Sequence, residues 1–323
     1  MPRTVRALRL HRDLVADVAA IDAPALRDGE VRIRTAAAGI CGSDVHAAQT
    51  GAWIEYWPAT TGHEVAGTVV ESSSDALAVG ERVVVDSRIP CRACEDCAHA
   101  PRLCAHLTWL GESRPGGFAE ELTVPASDVY IVGDAFLPLD VAVLAEPLAV
   151  VLTALRAVPA DTRTVLIQGY GPIGALAHLV LRGRGIEVAA SEPNPARLAD
   201  AVTRGASAAP PAPQRVDVVL DAAGYRGSVA AAFDAVRRGG TVIVVAIGDH
   251  PIDISAQALV EKGVSILTSV GFDDDGIPAA LDVLAADPLA FADVVSDRIA
   301  LDELPPHLTA PPSTRGKVVV TFP

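Results

Sequence analysis

Aromatic residues are scarce: Phe, Trp and Tyr make up 4% of the 323 residues, and there is one methionine. A core built on large rings is excluded, so Ala, Val and Leu must do most of the packing in a chain that is still 50% hydrophobic. Basic charge is also short. Lys and Arg number 26 against 40 Asp and Glu, a formal net charge of -14, which argues against a broad cationic face for nucleic acid or an anionic membrane. No apolar run reaches the roughly 20 residues that a membrane-spanning helix needs. Met1 to Leu10 carries three arginines but lacks the apolar core and small-residue cleavage site of a secretory signal. Cysteine is limited to five residues, an odd number that cannot pair completely. These absences point to a reduced, cytoplasmic protein, long enough for two domains.

The few cysteines are unevenly placed. Cys91, Cys94, Cys97 and Cys104 fall within fourteen residues, and Cys41 stands alone. Three thiols with two residues between each can wrap a loop around one zinc ion, and Cys104 completes a four-sulfur shell. A redox-switch disulfide is the rival reading, but it needs only two of the four. His99 and His106 are alternative ligands that four cysteines make unnecessary.

A second metal constellation is spread more widely. A catalytic zinc takes three protein ligands and keeps one position open. Cys41 follows an apolar strand and Gly39, Gly62-His63-Glu64 sits where a loop meets a strand, and Glu146 lies where the β-rich part gives way to βαβ pattern, the expected place for a cleft. Each residue alone has a structural explanation: a buried cysteine, a loop histidine, a helix-start carboxylate before Pro147. Together they are the ligand types of a catalytic zinc. Ser43 and His46 follow Cys41 closely enough to pass a proton to solvent, and Asp44 can orient a ligand histidine from behind. Turn, cap and solvated-helix roles remain open for these three.

The coarse pattern divides the chain. Residues 1–148 read as short strands between Gly, Pro and Asp turns, among them Glu30 to Ala37, Val65 to Val70, Arg82 to Asp86 and Glu120 to Val124. From 149 to 268, apolar strands alternate with Ala-rich helices, as parallel βαβ units do. The expected strands are Thr164 to Gln168, Glu187 to Ser191, Val216 to Asp221 and Thr241 to Ala246, with helices at Pro172 to Arg184, Ala196 to Arg204 and Ser228 to Arg237. The proline-rich Ala208 to Gln214 reads as a loop. The remaining segment, residues 269–323, ends in a strand from Lys317.

Gly169-Tyr170-Gly171-Pro172-Ile173-Gly174 follows the first of these strands and opens a helix. Glycines there permit a tight turn and close approach of a pyrophosphate to a helix N-terminus. Glu192 ends the next strand, where a carboxylate accepts ribose hydroxyls and repels a 2′-phosphate, favouring NAD. Arg197 nearby leaves NADP open.

In the order and context of these pieces the chain resembles the zinc-containing medium-chain dehydrogenases, of the polyol (sorbitol) or threonine dehydrogenase branch. The resemblance runs from Gly39–His46 through Gly62–Gly67, Cys91–Cys104, Gly116–Glu120, Glu146-Pro147-Leu148 and Gly169–Gly174 to Asp217–Gly224. It implies an α/β chain with a GroES-like catalytic domain, a structural zinc lobe over about 88–106, and a Rossmann coenzyme domain of doubly wound parallel sheet. Two zincs per chain are implied, one on Cys41, His63 and a glutamate, with Glu64 and Glu146 sharing or exchanging the carboxylate role. Lys317 falls where the family often places a basic residue near the coenzyme pyrophosphate. A homodimer or homotetramer acting on a small alcohol or ketone, with no nucleic-acid or membrane partner, is expected. The chain departs from the family in a gap one residue shorter before Cys104, in bulky Tyr170 where a narrowed coenzyme approach is expected, and in a trimmed coenzyme domain. Trp53, Tyr56 and Trp57 lie where the family builds part of its substrate pocket; an apolar pocket wall and a hydrophobic plug or subunit contact are equal readings. The implied activity is NAD-dependent oxidation of a secondary alcohol, a polyol, cyclitol or sugar derivative. The alternatives are an NADPH-dependent ketone reductase and a non-catalytic zinc and nucleotide-binding redox sensor.

Overall fold

The computed structural model describes residues 3–208, 215–248, 250–309 and 315–323. The expected loop Ala208 to Gln214 therefore lies, after Ala208, outside the described residues. The chain divides into two units, Met1–Glu146 with Asp273–Pro323, and Pro147–Phe272.

The first unit is mostly β. Its main sheet runs Val295–Ala300, Lys317–Thr321, Glu30–Gly39, Glu64–Ser72, Arg82–Val85, Val129–Ile131, with Glu121–Pro125 also paired on Glu30–Gly39. Two positions of this sheet matter for function. Gly39 is the register partner of Glu64, which brings the end of one strand to the start of the next. Lys317–Thr321 pairs antiparallel with the last residues of Glu30–Gly39, which delivers Lys317 to the same place. An apolar cluster of Leu8, Leu10, Ala38, Ala48, Phe118, Leu304 and Val320 lies beside it. Burying Phe118 completely is worth about 3 kcal/mol.

The second unit has a five-stranded parallel sheet, ordered Glu187–Ser191, Thr164–Gln168, Val216–Asp221, Val236–Val244, Ser265–Thr268. Chain order reverses at Thr164–Gln168, the topological switch point where such sheets bind nucleotides. Beyond Glu187–Ser191, Ala189 meets Ser207 in a single parallel bridge, where a further strand would continue the sheet. The helix expected over Ser228 to Arg237 ends at Ala235, and the strand expected from Thr241 begins at Val236. Val236 is fully buried and pairs with Val216, while Arg237 Nε donates to Asp217, so the basic residues belong to a strand entrance.

A candidate catalytic metal centre, a four-cysteine lobe and a nucleotide loop

Cys41 caps the helix Gly42–Thr50, which follows the strand ending at Gly39. Asp44, in the first helical turn, accepts the Cys41 amide at 2.9 Å and, through its other oxygen, the Gly62 amide at 3.0 Å. One buried carboxylate thus fixes the helix start to the residue before His63. Its Oδ1 lies 3.8 Å from His63 Nδ1. Gly62 has φ +94, and a Cβ there would press on the Phe118 ring at 2.8 Å, so the turn that presents His63 requires glycine.

Cys41, His63 and Glu64 offer one ligand atom each, all within 4.8 Å of one another. Glu64 is fully buried. Its Oε1 accepts from Lys317 Nζ at 2.5 Å, and its Oε2 has no hydrogen-bond partner among the described residues. Gly39 makes room for that oxygen, since a Cβ there would lie 2.0 Å from it. An orphaned buried carboxylate oxygen beside a thiol and an imidazole is a donor set that suits zinc. Glu146 is also buried and accepts the Ser87 hydroxyl at 2.9 Å. Burial, reinforced by Glu64 and opposed by His63, Ser87 and Lys317, lifts its carboxyl to about 7. Burial opposes a charged His63, but Asp44 and the Cys41 sulfur outweigh it and hold the imidazole pKa well above its ordinary value. Lys317 is likewise disfavoured by burial and raised by Glu64 and Cys41. The pyrophosphate role expected of Lys317 thus meets a different arrangement: its ammonium is 2% exposed and committed to Glu64 and the Ile40 carbonyl.

Ser43 is half-buried and His46 exposed on the same helix, three residues apart and so neighbours on one face. The His46 ring rests 4.9 Å from that of Trp53, which is 43% exposed. The three aromatics divide. Tyr56 and Trp57 pack on the apolar cluster, and the Tyr56 hydroxyl bonds both the Thr60 carbonyl and the Thr60 amide. These two rings pack inward, and of the three only Trp53 is exposed.

In the lobe, the sulfurs of Cys91 and Cys97 are 3.9 Å apart, Cys94 and Cys97 3.5 Å, Cys94 and Cys104 3.8 Å, and Cys91 and Cys104 3.5 Å. A tetrahedral ion with bonds of about 2.3 Å requires sulfurs about 3.8 Å apart, and a disulfide requires about 2.05 Å. The spacing fits zinc, and none of the five cysteines is bridged. Backbone amides of Cys97 and Ala105 hold the Cys94 thiol at about 6, favouring the thiolate a metal needs. The shortened loop before Cys104 closes through the turn Pro101–Leu103.

In the second unit, Gly169 has φ +84 and Gly174 lies so close to the Gly169 carbonyl that a Cβ would approach it at 2.1 Å. Gly171 differs: a Cβ there would meet nothing within 4 Å, leaving the helix start open to a pyrophosphate. Pro172 and Ile173 form the first turn of the helix Pro172–Gly183. Glu192 accepts the Tyr170 amide at 2.7 Å and the Asn194 amide at 2.8 Å, which orients its carboxylate beside that loop. Arg197 sits in the first turn of Pro195–Thr203. Tyr170 does not narrow the approach. It is 1% exposed and its hydroxyl bonds His178 Nδ1 at 2.7 Å inside the unit.

Sequence patterns did not single out Ser87, the partner of Glu146, or Glu112, whose carboxyl lies within the fields of His63 and Asp44. Neither belongs to a spacing motif. Gly111, which packs on Gly62, is the only nearby signal.

Comparison with known proteins agrees with this chemistry. The profile of the alcohol dehydrogenase GroES-like domain matches residues 27–134, and that of the zinc-binding dehydrogenases matches 172–286. D-altritol 5-dehydrogenase of Agrobacterium fabrum is 32% identical, over 96% of each chain. Sorbitol dehydrogenase of Bacillus subtilis is 26% identical, over 94% of this chain and 92% of the relative. A solved zinc-binding dehydrogenase from Sinorhizobium meliloti, bound to NADP, superimposes with a TM-score of 0.91 at 26% identity, covering 99% of this chain and 100% of that one. The chain belongs to the zinc-containing alcohol dehydrogenases of the medium-chain dehydrogenase family.

Proposed function

We propose that this enzyme oxidises a secondary hydroxyl of a polyol, cyclitol or sugar derivative, passing hydride to NAD. The observation that carries the reading is the convergence of Cys41, His63 and the orphaned Glu64 oxygen within 4.8 Å. Polyol relatives, D-altritol and sorbitol dehydrogenases among them, support the substrate class. Zinc bound at this centre would supply Lewis acidity toward the substrate oxygen, and bound NAD would supply the hydride acceptor.

The chain's own residues do the rest. Cys41, His63 and Glu64 would hold the metal, and Glu146, buried and hydrogen-bonded to Ser87, is the carboxylate that would exchange with Glu64. Asp44 fixes His63, and Gly39 with Lys317 fixes Glu64. Ser43 receives the hydroxyl proton and His46 passes it to solvent from the exposed face of the helix. Gly169, Gly171, Pro172, Ile173 and Gly174 cradle the pyrophosphate, and Glu192 takes the ribose hydroxyls, which selects NAD over NADP. Cys91, Cys94, Cys97 and Cys104 hold a second, structural zinc. Such a cluster needs a reducing compartment, so a cytoplasmic location belongs to the same reading. Ser265–Thr268 is an open sheet edge with exposed Leu267 and Val270 nearby, which supports a homo-oligomer, to be checked by light scattering.

The test is initial-rate measurement with NAD and NADP across polyols, cyclitols and simple secondary alcohols. NAD reduction on a polyol or cyclitol is expected. Turnover confined to ketones with NADPH would overturn it.

A further inference from the structure

The nucleotide loop has a side chain that the proposed mechanism does not use. Tyr170 stands between Gly169 and Gly171, where the backbone must lie open to a pyrophosphate. Its ring turns the other way and is 1% exposed. Two backbone bonds register the loop against the end of Glu187–Ser191. The Gly169 amide donates to the Ser191 carbonyl at 2.9 Å, and the Tyr170 amide donates to Glu192 Oε2 at 2.7 Å. The Tyr170 side chain then ties the loop to the helix Pro172–Gly183. Its hydroxyl oxygen and His178 Nδ1 are 2.7 Å apart, and the two rings meet edge to face at 5.8 Å.

Gly174 and His178 are four residues apart and so share one face of that helix. Gly174 packs on the Gly169 carbonyl, where a Cβ would come within 2.1 Å, and His178 meets the hydroxyl of the next loop residue. One helix face thus grips two consecutive loop residues, the first by close approach and the second by a hydrogen bond. Burial pushes His178 down to about 4 and raises the Tyr170 hydroxyl, so both rings are neutral at pH 7. An apolar pair would fill the same space. A buried polar pair adds direction, because each partner is satisfied in one arrangement only, and that fixes the Tyr170 side chain and the backbone that carries it. The Tyr170 amide in turn is one of two that hold Glu192, the other being that of Asn194 on the second carboxylate oxygen.

Resting on the reading that this loop receives NAD and that Glu192 takes its ribose hydroxyls, we propose that Tyr170 and His178 are positioning residues for coenzyme selection. Their buried bond fixes the Tyr170 backbone, and the Tyr170 amide fixes the carboxylate that accepts a ribose diol and repels a 2′-phosphate. The pair acts on the coenzyme through Glu192.

The test measures the Kd of NADH and of NADPH with the zinc-loaded enzyme, by the fluorescence of the reduced nicotinamide and with no alcohol present, alongside thermal unfolding. The variants are Tyr170→Phe, His178→Leu, the double variant, and His178→Asn, whose side-chain amide can take the place of Nδ1. The wild type should bind NADH more tightly than NADPH. Tyr170→Phe and His178→Leu should each weaken NADH about five- to tenfold, the worth of one hydrogen bond, and weaken NADPH less, so that selectivity narrows. The double variant should lose no more than either single one, because both changes break the same bond. His178→Asn should recover part of the affinity and of the selectivity. Selectivity that depends on the pair, without turnover of any alcohol, would uphold this assignment and sink the proposed oxidation. Lower thermal stability with NADH affinity unchanged, or an equal fall for both coenzymes, would overturn the assignment and leave the pair a core contact. A wild type that favours NADPH or binds neither coenzyme would overturn it together with the reading of Glu192.

Discussion

Replacing Lys317 with Met should destabilise the metal-free protein far more than the zinc-loaded one. Lys317 and Glu64 are 2% and 0% exposed, and the 2.5 Å contact between them is, among the described residues, the only hydrogen bond to the Glu64 carboxylate. Methionine keeps the stem volume and removes the charge, so packing is largely preserved and the buried Glu64 carboxylate loses the cation hydrogen-bonded to it. Breaking one side of a buried ion pair costs about 3–5 kcal/mol. At about 2–4 °C per kcal/mol for a unit of this size, the transition of the first unit should fall by about 10 °C. Zinc supplies positive charge to the same carboxylate, so the loss should shrink in the loaded protein. The assay is scanning calorimetry of metal-free and zinc-loaded wild type, Lys317→Met, Glu64→Gln and the double variant. The double variant should recover most of the loss, because neither charge is then unpaired. An equal loss with and without zinc, or a loss below about 1 kcal/mol, would refute the reasoning.

Three further outcomes follow from the same geometry. Gly39→Ala places a Cβ 2.0 Å from Glu64 Oε2, so the carboxylate must move, and zinc affinity at that centre, measured by competition with a chromophoric chelator, should fall about 10- to 100-fold. His63 is held well above its ordinary pKa and must lose its proton to bind metal. Zinc binding at neutral pH should therefore release protons and weaken as pH falls, read by calorimetry in buffers of different ionisation enthalpy. His178 is pushed down from 6.5 to about 4 by burial, with Arg182 and Arg204 assisting. The unfolded chain then binds the extra proton, so stability is intact above pH 6.5 and is lost as pH falls toward 4, by about 3 kcal/mol in all. The pH dependence of urea unfolding should flatten in that window for His178→Gln.

Much of the fold was legible because its local signals agree. Thr164–Gln168, Glu187–Ser191 and Val216–Asp221 are short apolar runs bounded by turns, and the structure keeps the ends read from sequence. The boundary near Val236 was not legible. Arg237 and Arg238 look like the charged end of a helix, and only the pairing of Val236 with Val216 across the sheet makes them a strand. The candidate site divides in the same way. Cys41, His63 and Glu64 announce themselves by residue type, and the Gly39–Glu64 register brings them together. Lys317 is some 250 residues from Glu64 in the chain, so its place depends on a strand pairing that no local pattern reports. Tyr170 looks like an obstruction because sequence gives its size and not its direction; the buried His178 nitrogen draws it inward. Glu112 carries no motif at all, and only the contact of Gly111 with Gly62 reveals it.

The central claim is that Cys41, His63 and Glu64 form a catalytic zinc centre distinct from the four-cysteine lobe. The most direct test counts zinc in purified wild type and Cys41→Ala alongside polyol-dependent NAD reduction. About two zincs per chain with turnover in the wild type, and about one zinc without turnover in Cys41→Ala, are predicted by the two ligand sets. One zinc in a fully active wild type, or a Cys41→Ala variant that keeps both its zinc and its turnover, would contradict the account.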